Sequence, residues 1–307
     1  MIKVQVKLKS ATFNFSCKDE DFVIELKTRI SDSQKMQLSR IRLEIDFSES
    51  QKVVLKNEGR LFEYKKYMKD DILPLLCKDL GSQIGYNYLF YIEYCFPPLS
   101  TLAFYLYNYK KTNRYHSLLT LLILFHFGKR LLETKFVHIF SNPSVPFKVL
   151  IRNCIHYWVL IGLLVPIEVF NLRKMSFPKK LGKSKISLFV LFFIFEFLNF
   201  VCHLKLRKLR TSTNLNGKRE ISNERKIPSG LFFDSIISPN YTFEILSWAA
   251  FTLLFKSYVS AGFTLISAGI MTQWSGVKKK RLLELEDATP EEKRKIRKRW
   301  LTLPLLI

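Results

Sequence analysis

Histidine is scarce in this chain and never clustered. His116, His126, His138, His156 and His203 are all there are, and none forms an HxxxH or HxxHH arrangement. Di-iron membrane enzymes need several imidazoles at helical spacing, so desaturase and hydroxylase chemistry is not expected, nor any metal site. The cysteines Cys17, Cys77, Cys95, Cys154 and Cys202 are scattered, with no Cys-x-x-Cys pair. That argues against a disulfide framework and against zinc. No Gly-x-Ser-x-Gly elbow is present for serine hydrolysis. No Gly-x-Gly-x-x-Gly is present either, so a dinucleotide would have to be held another way. The first residues lack the apolar core of a cleaved signal peptide, and the N-terminal segment is expected to stay in the cytosol.

What the chain does have is apolar surface and positive charge together. Its 307 residues are 48% hydrophobic and 14% aromatic, yet the formal charge is +23. Uninterrupted apolar blocks alternate with basic stretches, the pattern of membrane spans joined by loops that face anionic lipid headgroups or an anionic cofactor. Nucleic-acid binding is the competing use of so much Lys and Arg. No recognition motif accompanies the charge, and no nucleic-acid partner is expected.

Residues 1–80 read as a small α+β domain of the ubiquitin-like, β-grasp kind. Ile2, Val4, Val6 and Leu8 alternate as on one face of a strand, and Thr12–Phe15 can pair back after a Lys9-Ser10-Ala11 turn. A helix is predicted over Asp21–Met36. Ile41, Leu43, Ile45 and Phe47 alternate again, and Val53-Val54-Leu55 precedes the turn signal Lys56–Gly59. Residues 81–307 read as an α-helical membrane bundle, with spans near 85–107, 117–140, 149–170, 186–204, 242–256 and 258–275. His126, Lys129, Arg130 and Glu133 interrupt the second, whose latter half must then be sheltered by protein or lie at the interface. The last two, separated by Lys256-Ser257, read as a tight hairpin. Six spans place both termini on one side. The basic loop 205–230 and the basic tail suit the cytosol, whereas the equally basic loop 171–185 falls in the lumen, against the rule.

Chemistry must come from polar residues within apolar segments: Gln83 before the first span, then Glu93, Glu133, Glu168, Glu196, Asn199, Asn240, Tyr241 and Glu244. Ionisable groups inside a membrane are functional candidates by default, although each can equally be a structural hydrogen-bonding partner. Lys129, Arg130 and Glu133 lie within helical reach of one another, which also suits a structural ion pair. Asn199, His203, Arg207 and Arg210 recur at three- and four-residue spacing, so one helix can project them in a row. An amide, an imidazole and two guanidiniums suit a phosphate-rich ligand. Ordinary basic flanks of a helix end are the alternative.

Together these segments resemble the membrane steroid 5α-reductase family, and more closely its very-long-chain trans-2-enoyl-CoA reductases. The resemblance rests on Asp79–Ile84, Glu93-Tyr94 with Pro97-Pro98, His126–His138, Asn199–Arg210, Lys226-Ile227-Pro228 and Ser238–Glu244, in the family's order. It implies a multi-pass endoplasmic reticulum enzyme with cytosolic termini. Such an enzyme uses NADPH to saturate an enoyl-CoA at the last step of each fatty acid elongation round, among membrane lipids and beside other elongation enzymes. It also implies that Asn199, Arg207, Arg210, Lys226, Asn240 and Glu244 help hold NADPH. His203, Lys129 and Arg130 fall in the same matching stretches and join that set. Gln83, Glu93 and Tyr241 would lie by the substrate. Tyr241 would deliver the proton or hydrogen-bond the enolate, and Gln83 or a protonated Glu93 would donate to the thioester oxygen. Two departures stand out. Where the family reads Lys-His-Arg-x-Tyr-Leu, this chain has Lys278–Leu283, which puts a cofactor contact from that segment in doubt. His203 matches the enoyl-CoA reductases, where steroid reductases tend to carry a carboxylate. Reduction of a steroid or polyprenol, and a non-catalytic membrane scaffold, are the rival readings.

Overall fold

The computed structural model describes residues 1–48, 51–140, 143–172, 182–213, 219–221 and 226–303. It divides into two compact units, Met1–Gly85 with Asn142–Leu150, and Tyr86–Ser141 with Ile151–Ile307.

In the first unit the alternating N-terminus forms strand β1 (Ile2–Leu8), which turns through Lys9-Ser10 into antiparallel β2 (Ala11–Cys17). Lys9 takes the turn in the left-handed region, at φ 54°. Helix α1 covers Val23–Gln34, shorter at both ends than the predicted Asp21–Met36. Its start is set where the Glu25 carboxylate accepts the Phe22 N–H, and it ends at Lys35, whose φ of 48° leaves the helical region. Strands β3 (Ile41–Ser48) and β4 (Gln51–Val54) pair antiparallel. The centre of the sheet is β5 (Ile72–Asp79), parallel to β1 and antiparallel to β3, giving the order β2-β1-β5-β3-β4.

The sequence reading did not single out β5, because Pro74 interrupts a run that does not alternate. Proline cannot donate to a ladder. It is tolerated here because β3 pairs with β5 only from Leu76 to Asp79, beyond Pro74. Val4, Val6, Val23, Leu26, Ile30, Leu43, Ile45, Leu73 and Leu75 form the buried core. A short pair, β6 (Gln83–Gly85) with β7 (Ser144–Pro146), completes this unit.

Arg40 clamps the end of β5 by donating from Nε and Nη2 to the two carboxylate oxygens of Asp79, at 3.0 and 2.6 Å. The Arg40 bonds, followed by the Gly81 N–H, lower the Asp79 pKa from 3.8 to about 2. A carboxylate depressed on folding contributes stability above its unfolded pKa, and loses it as pH falls through the folded value. The clamp is therefore complete above about pH 4 and is lost towards pH 2. Both side chains remain partly exposed, so solvent screening keeps its contribution small. Unfolding midpoints of wild type and Asp79→Asn should differ near neutral pH and converge near pH 2; a constant difference would remove the clamp from the account.

In the second unit each apolar segment is helical. Helix α2 spans Tyr86–Tyr107, and α3 spans Arg114–Phe136 behind an Asn113 cap. Helix α4 (Phe147–Cys154), whose residues up to Leu150 count with the first unit, runs on as π-helix over Ile155–Leu164 and Ile167–Leu172. Between those stretches stands Pro166, which has no N–H to continue a ladder. Helix α5 spans Lys183–Leu209, followed by the short strands β8 (Thr211–Thr213) and β9 (Arg219–Ile221). Then come α6 (Pro239–Phe255), α7 (Tyr258–Leu283) and α8 (Pro290–Lys298). Among the described residues, two stretches, Phe147–Phe170 and Lys183–Leu209, are long and apolar enough to cross a membrane, with mean hydropathies of 1.6 and 2.1. The remaining segments fall short for local reasons: α3 carries Lys129, Arg130 and Glu133, and α6 has only 17 residues. Of the basic loop 171–185, residues 173–181 lie outside the described residues.

Leu119, Leu122, Ile123 and Phe127 of α3 pack with Ile161, Trp248, Phe251 and Phe263 in one apolar cluster. Gly162 belongs to the same packing. A Cβ there would lie 2.8 Å from Phe96 Cδ1, and Ser100 already donates to the Gly162 carbonyl. Gly162→Ala should cost about 1–3 kcal/mol through overpacking, read as a lower thermal midpoint; an unchanged midpoint would mean that Phe96 swings aside freely.

The predicted hairpin is present. Lys256 turns at φ 51°, and Ser257 caps α7 by accepting the Ser260 N–H. The buried Glu168 carboxylate takes the Ser257 hydroxyl and the N–H groups of Tyr258 and Val259. An acidic group at a helix N-terminus is favourable, so this carboxylate within an apolar segment is accounted for by capping.

Candidate functional site

Helices α3, α5 and α6 each place polar side chains between them, and these close into a ring. Lys129 Nζ lies 2.7 Å from Glu196 Oε2 and donates to Asn199 Oδ1 at 2.6 Å. Asn199 Nδ2 donates to Glu244 Oε2 at 3.0 Å and to the Asn240 carbonyl at 2.9 Å. Glu244 Oε1 lies 3.4 Å from His126 Nε2, whose other ring nitrogen meets Glu196 Oε1 at 2.8 Å. His126, Glu196 and Asn199 are only 2%, 2% and 1% exposed. Charge buried this deeply persists only when it is paired.

A second cluster adjoins the ring through Glu133, whose Oε1 is 3.5 Å from Lys129. Arg130 Nη1 donates to Glu133 Oε2 at 2.6 Å and lies 3.1 Å from His203 Nε2; Nη2 donates to the Tyr94 hydroxyl at 3.3 Å. Glu133, His138 and His203 thereby bring three potential metal-ligand atoms within 4.8 Å of one another. The positive centre among them is the Arg130 guanidinium, which faces both the Glu133 carboxylate and the His203 lone pair. A metal ion would have to displace that cation.

The other sequence-predicted residues are placed as follows. Glu93 is buried and accepts from Asn153 Nδ2 at 2.8 Å. Gln83 lies in the first unit, donating to the Leu80 carbonyl at 3.0 Å and accepting from Ser144 Oγ at 3.3 Å. Arg207 and Lys226 are exposed. Arg210 ends α5 and donates to the Ile139 carbonyl at 2.7 Å.

Tyr241 follows Asn240 in the first turn of α6. Its ring packs beside Ile245, Ala268 and Met271 with Trp274 nearby, and its hydroxyl has no partner among the described residues. Ser238 Oγ and Asn240 Oδ1, both buried, likewise have none. Buried polar atoms are normally satisfied, so three open hydrogen-bonding groups cluster at one helix start.

This start is held from outside by the C-terminal segment. Ile237 N–H donates to the Trp300 carbonyl at 2.8 Å, Ser238 N–H to Leu301 at 3.3 Å and Trp300 N–H to Ser235 at 2.9 Å. Arg299 donates to the Pro228 carbonyl at 2.9 Å, which ties down the loop after Lys226. The altered segment 278–283 serves the same tail. Lys279 donates to the carbonyls of Arg297 and Arg299, both at 2.8 Å, and Leu282 packs with Ile237 and Ile296.

Sequence reasoning named Glu196 only among the general candidates and gave His126, Tyr94 and Asn153 no role of their own, since the pairings join different helices.

Residues 143–296 match the family model described as 3-oxo-5-alpha-steroid 4-dehydrogenase. A Dictyostelium discoideum protein named very-long-chain enoyl-CoA reductase is 31% identical over 303 residues, covering 95% of this chain and 96% of that protein. A Trypanosoma brucei protein named as an enoyl-CoA reductase is 33% identical over 225 residues, 70% of this chain and 72% of the other. A Caenorhabditis elegans relative named as a very-long-chain enoyl-CoA reductase is 30% identical over 232 residues, 72% of this chain and 74% of the relative. The chain belongs to the steroid 5α-reductase family, among relatives named enoyl-CoA reductases.

Proposed function

We propose that this chain is an NADPH-dependent very-long-chain trans-2-enoyl-CoA reductase, acting at the last step of fatty acid elongation. The observation that carries this reading is likeness along nearly the whole chain to a protein bearing that name. The candidate site supports it. A reduced nicotinamide nucleotide brings carboxamide and hydroxyl donors, which fit the unpartnered acceptors of Ser238 and Asn240, and phosphates, which fit the exposed cations Arg207 and Lys226. Asn199, His203, Arg210, Glu244, Lys129 and Arg130 complete the proposed cofactor set, most of them by holding one another in place. When bound, the cofactor supplies the hydride for C3 of the enoyl group. Tyr241 is proposed to hydrogen-bond the developing enolate and to give its proton to C2. Donors preorganised at an oxygen that gains charge lower the barrier. Gln83 and Glu93 are proposed to lie by the thioester.

The strand order of the first unit supports a ubiquitin-like β-grasp domain ahead of a membrane domain, with the boundary near residue 80. We read the six long apolar segments as spans of the endoplasmic reticulum membrane with both termini cytosolic. The shelter given to the charges of α3 and α6 supports counting those helices among the spans. Within such a membrane the acyl chain enters between spans, and other elongation enzymes are expected partners.

The family model's own name favours a second reading, reduction of a steroid. Purified full-length protein should oxidise NADPH with a long trans-2-enoyl-CoA and form the saturated acyl-CoA. Turnover with a 3-oxo-4-ene steroid and none with the thioester would replace the first reading with the second.

A further inference from the structure

His126, like its ring neighbour Glu196, belongs neither to the proposed cofactor set nor to the substrate set, and it alone joins the two carboxylates of the ring, which stand on different helices. From α3 its Nδ1 holds Glu196 of α5 at 2.8 Å, and its Nε2 faces Glu244 of α6 at 3.4 Å. The imidazole is seated by its neighbours. Its ring stands edge-on to Trp248 and Phe127, with centroids 4.8 and 5.0 Å away. Glu244 in turn accepts from Asn199, whose second N–H holds the Asn240 carbonyl at 2.9 Å, and Asn240 precedes Tyr241. The imidazole is thus linked through two side chains to the backbone that carries the tyrosine.

Besides the packing of Phe243 and the C-terminal strap, the α6 start lacks a cap of its own. Ser238 offers no side-chain cap, and its hydroxyl is unpartnered. A helix without an N-cap loses about 0.5–2 kcal/mol relative to a capped one, so its first turn depends on tertiary contacts such as this ring.

We propose that His126 is a positioning residue. By spanning Glu196 and Glu244 it fixes the first turn of α6, and so the direction in which Tyr241 presents its hydroxyl. The inference rests on the role proposed for Tyr241, but part of its test does not.

The substrate-free part is backbone amide exchange over residues 240–244 in full-length protein, wild type against His126→Gln. Glutamine keeps the polarity but cannot span both carboxylates as the imidazole ring does. Exchange should rise about tenfold or more as the first turn opens locally, while α2 exchanges as before. Equal exchange over 240–244 would overturn the proposal. If His126→Gln does not accumulate, His126→Asn, whose shorter side chain leaves Lys129 and Glu196 paired but cannot reach both carboxylates, carries the same comparison.

The kinetic part compares His126→Gln, Tyr241→Phe and the double variant with NADPH and a trans-2-enoyl-CoA. His126→Gln should lower kcat at saturating NADPH, and the double variant should be no slower than Tyr241→Phe alone, because members of one functional unit are not additive. Losses that multiply would mean that His126 acts independently of the tyrosine and would overturn the proposal. Wild-type protein inactive on the thioester but with exchange rising as stated would contradict the proposed reaction and leave the positioning role standing.

Discussion

Tyr241→Phe should lower turnover by about 10²–10⁴-fold, the usual contribution of a positioned proton donor, with NADPH affinity nearly unchanged. The substitution removes one oxygen and keeps the ring among Ile245, Ala268 and Met271, so the protein should fold and express as wild type. The hydroxyl is the candidate group because it has no partner among the described residues and stands beside Asn240, whose carbonyl Asn199 holds. A free phenol ordinarily ionises near pH 10, so as an acid it gives up its proton only to a strongly basic partner, which an enolate is. Steady-state rates and cofactor titration on the same preparation check both halves. Full turnover by the phenylalanine variant would remove Tyr241 from the chemistry.

The second large effect is on stability. Glu196→Ala should cost about 3–5 kcal/mol, because it strands buried charge that has lost its partner. Glu196 meets Lys129 at 2.7 Å and His126 at 2.8 Å, and all three are largely buried. Lys129 keeps Asn199 and a longer contact to Glu133 at 3.5 Å, too little to replace a full carboxylate. The revealing comparison is Lys129→Met with Glu196→Leu. Removing both leaves neither member of the ion pair stranded, and exchanging a buried pair for apolar groups is often neutral or stabilising. Thermal unfolding should therefore show the double variant well above Glu196→Ala, while its turnover stays low. Equal midpoints for the two would mean that Glu196 carries little of the energy assigned to it.

Periodicity and composition carried much of the fold. Alternation placed β1, β2 and β3, and each apolar block became a helix. The hairpin at Lys256-Ser257 was legible because a basic residue and a cap interrupt an otherwise continuous apolar run. What escaped were features fixed by contacts between distant segments. Strand β5 is hidden by Pro74 until its neighbours are known. The C-terminal strap against Ile236–Ser238 has no local signal, although Thr289-Pro290-Glu291-Glu292 ahead of α8 spells a capped helix start. The same limit governs the candidate site. Lys129, Asn199 and Glu244 could be named one by one, but the ring that joins them requires three helices to meet. Carboxylates within apolar segments look alike in sequence, yet Glu168 caps a helix, Glu196 pairs with a lysine and a histidine, and Glu93 accepts from an asparagine. Lys279 stands where the family carries histidine, and it binds the carbonyls at the end of α8, so the departure that drew notice in the sequence has a structural use.

The most direct measurement of the proposed reaction follows isotope into product. Purified protein is given a long trans-2-enoyl-CoA and NADPH bearing deuterium at the transferable nicotinamide position, and the saturated acyl-CoA is analysed; the converse run uses unlabelled cofactor in heavy water. Cofactor deuterium should appear at C3 in the first run and solvent deuterium at C2 in the second. Product without cofactor label at C3, or no conversion of the thioester by active, folded protein, would contradict the assignment.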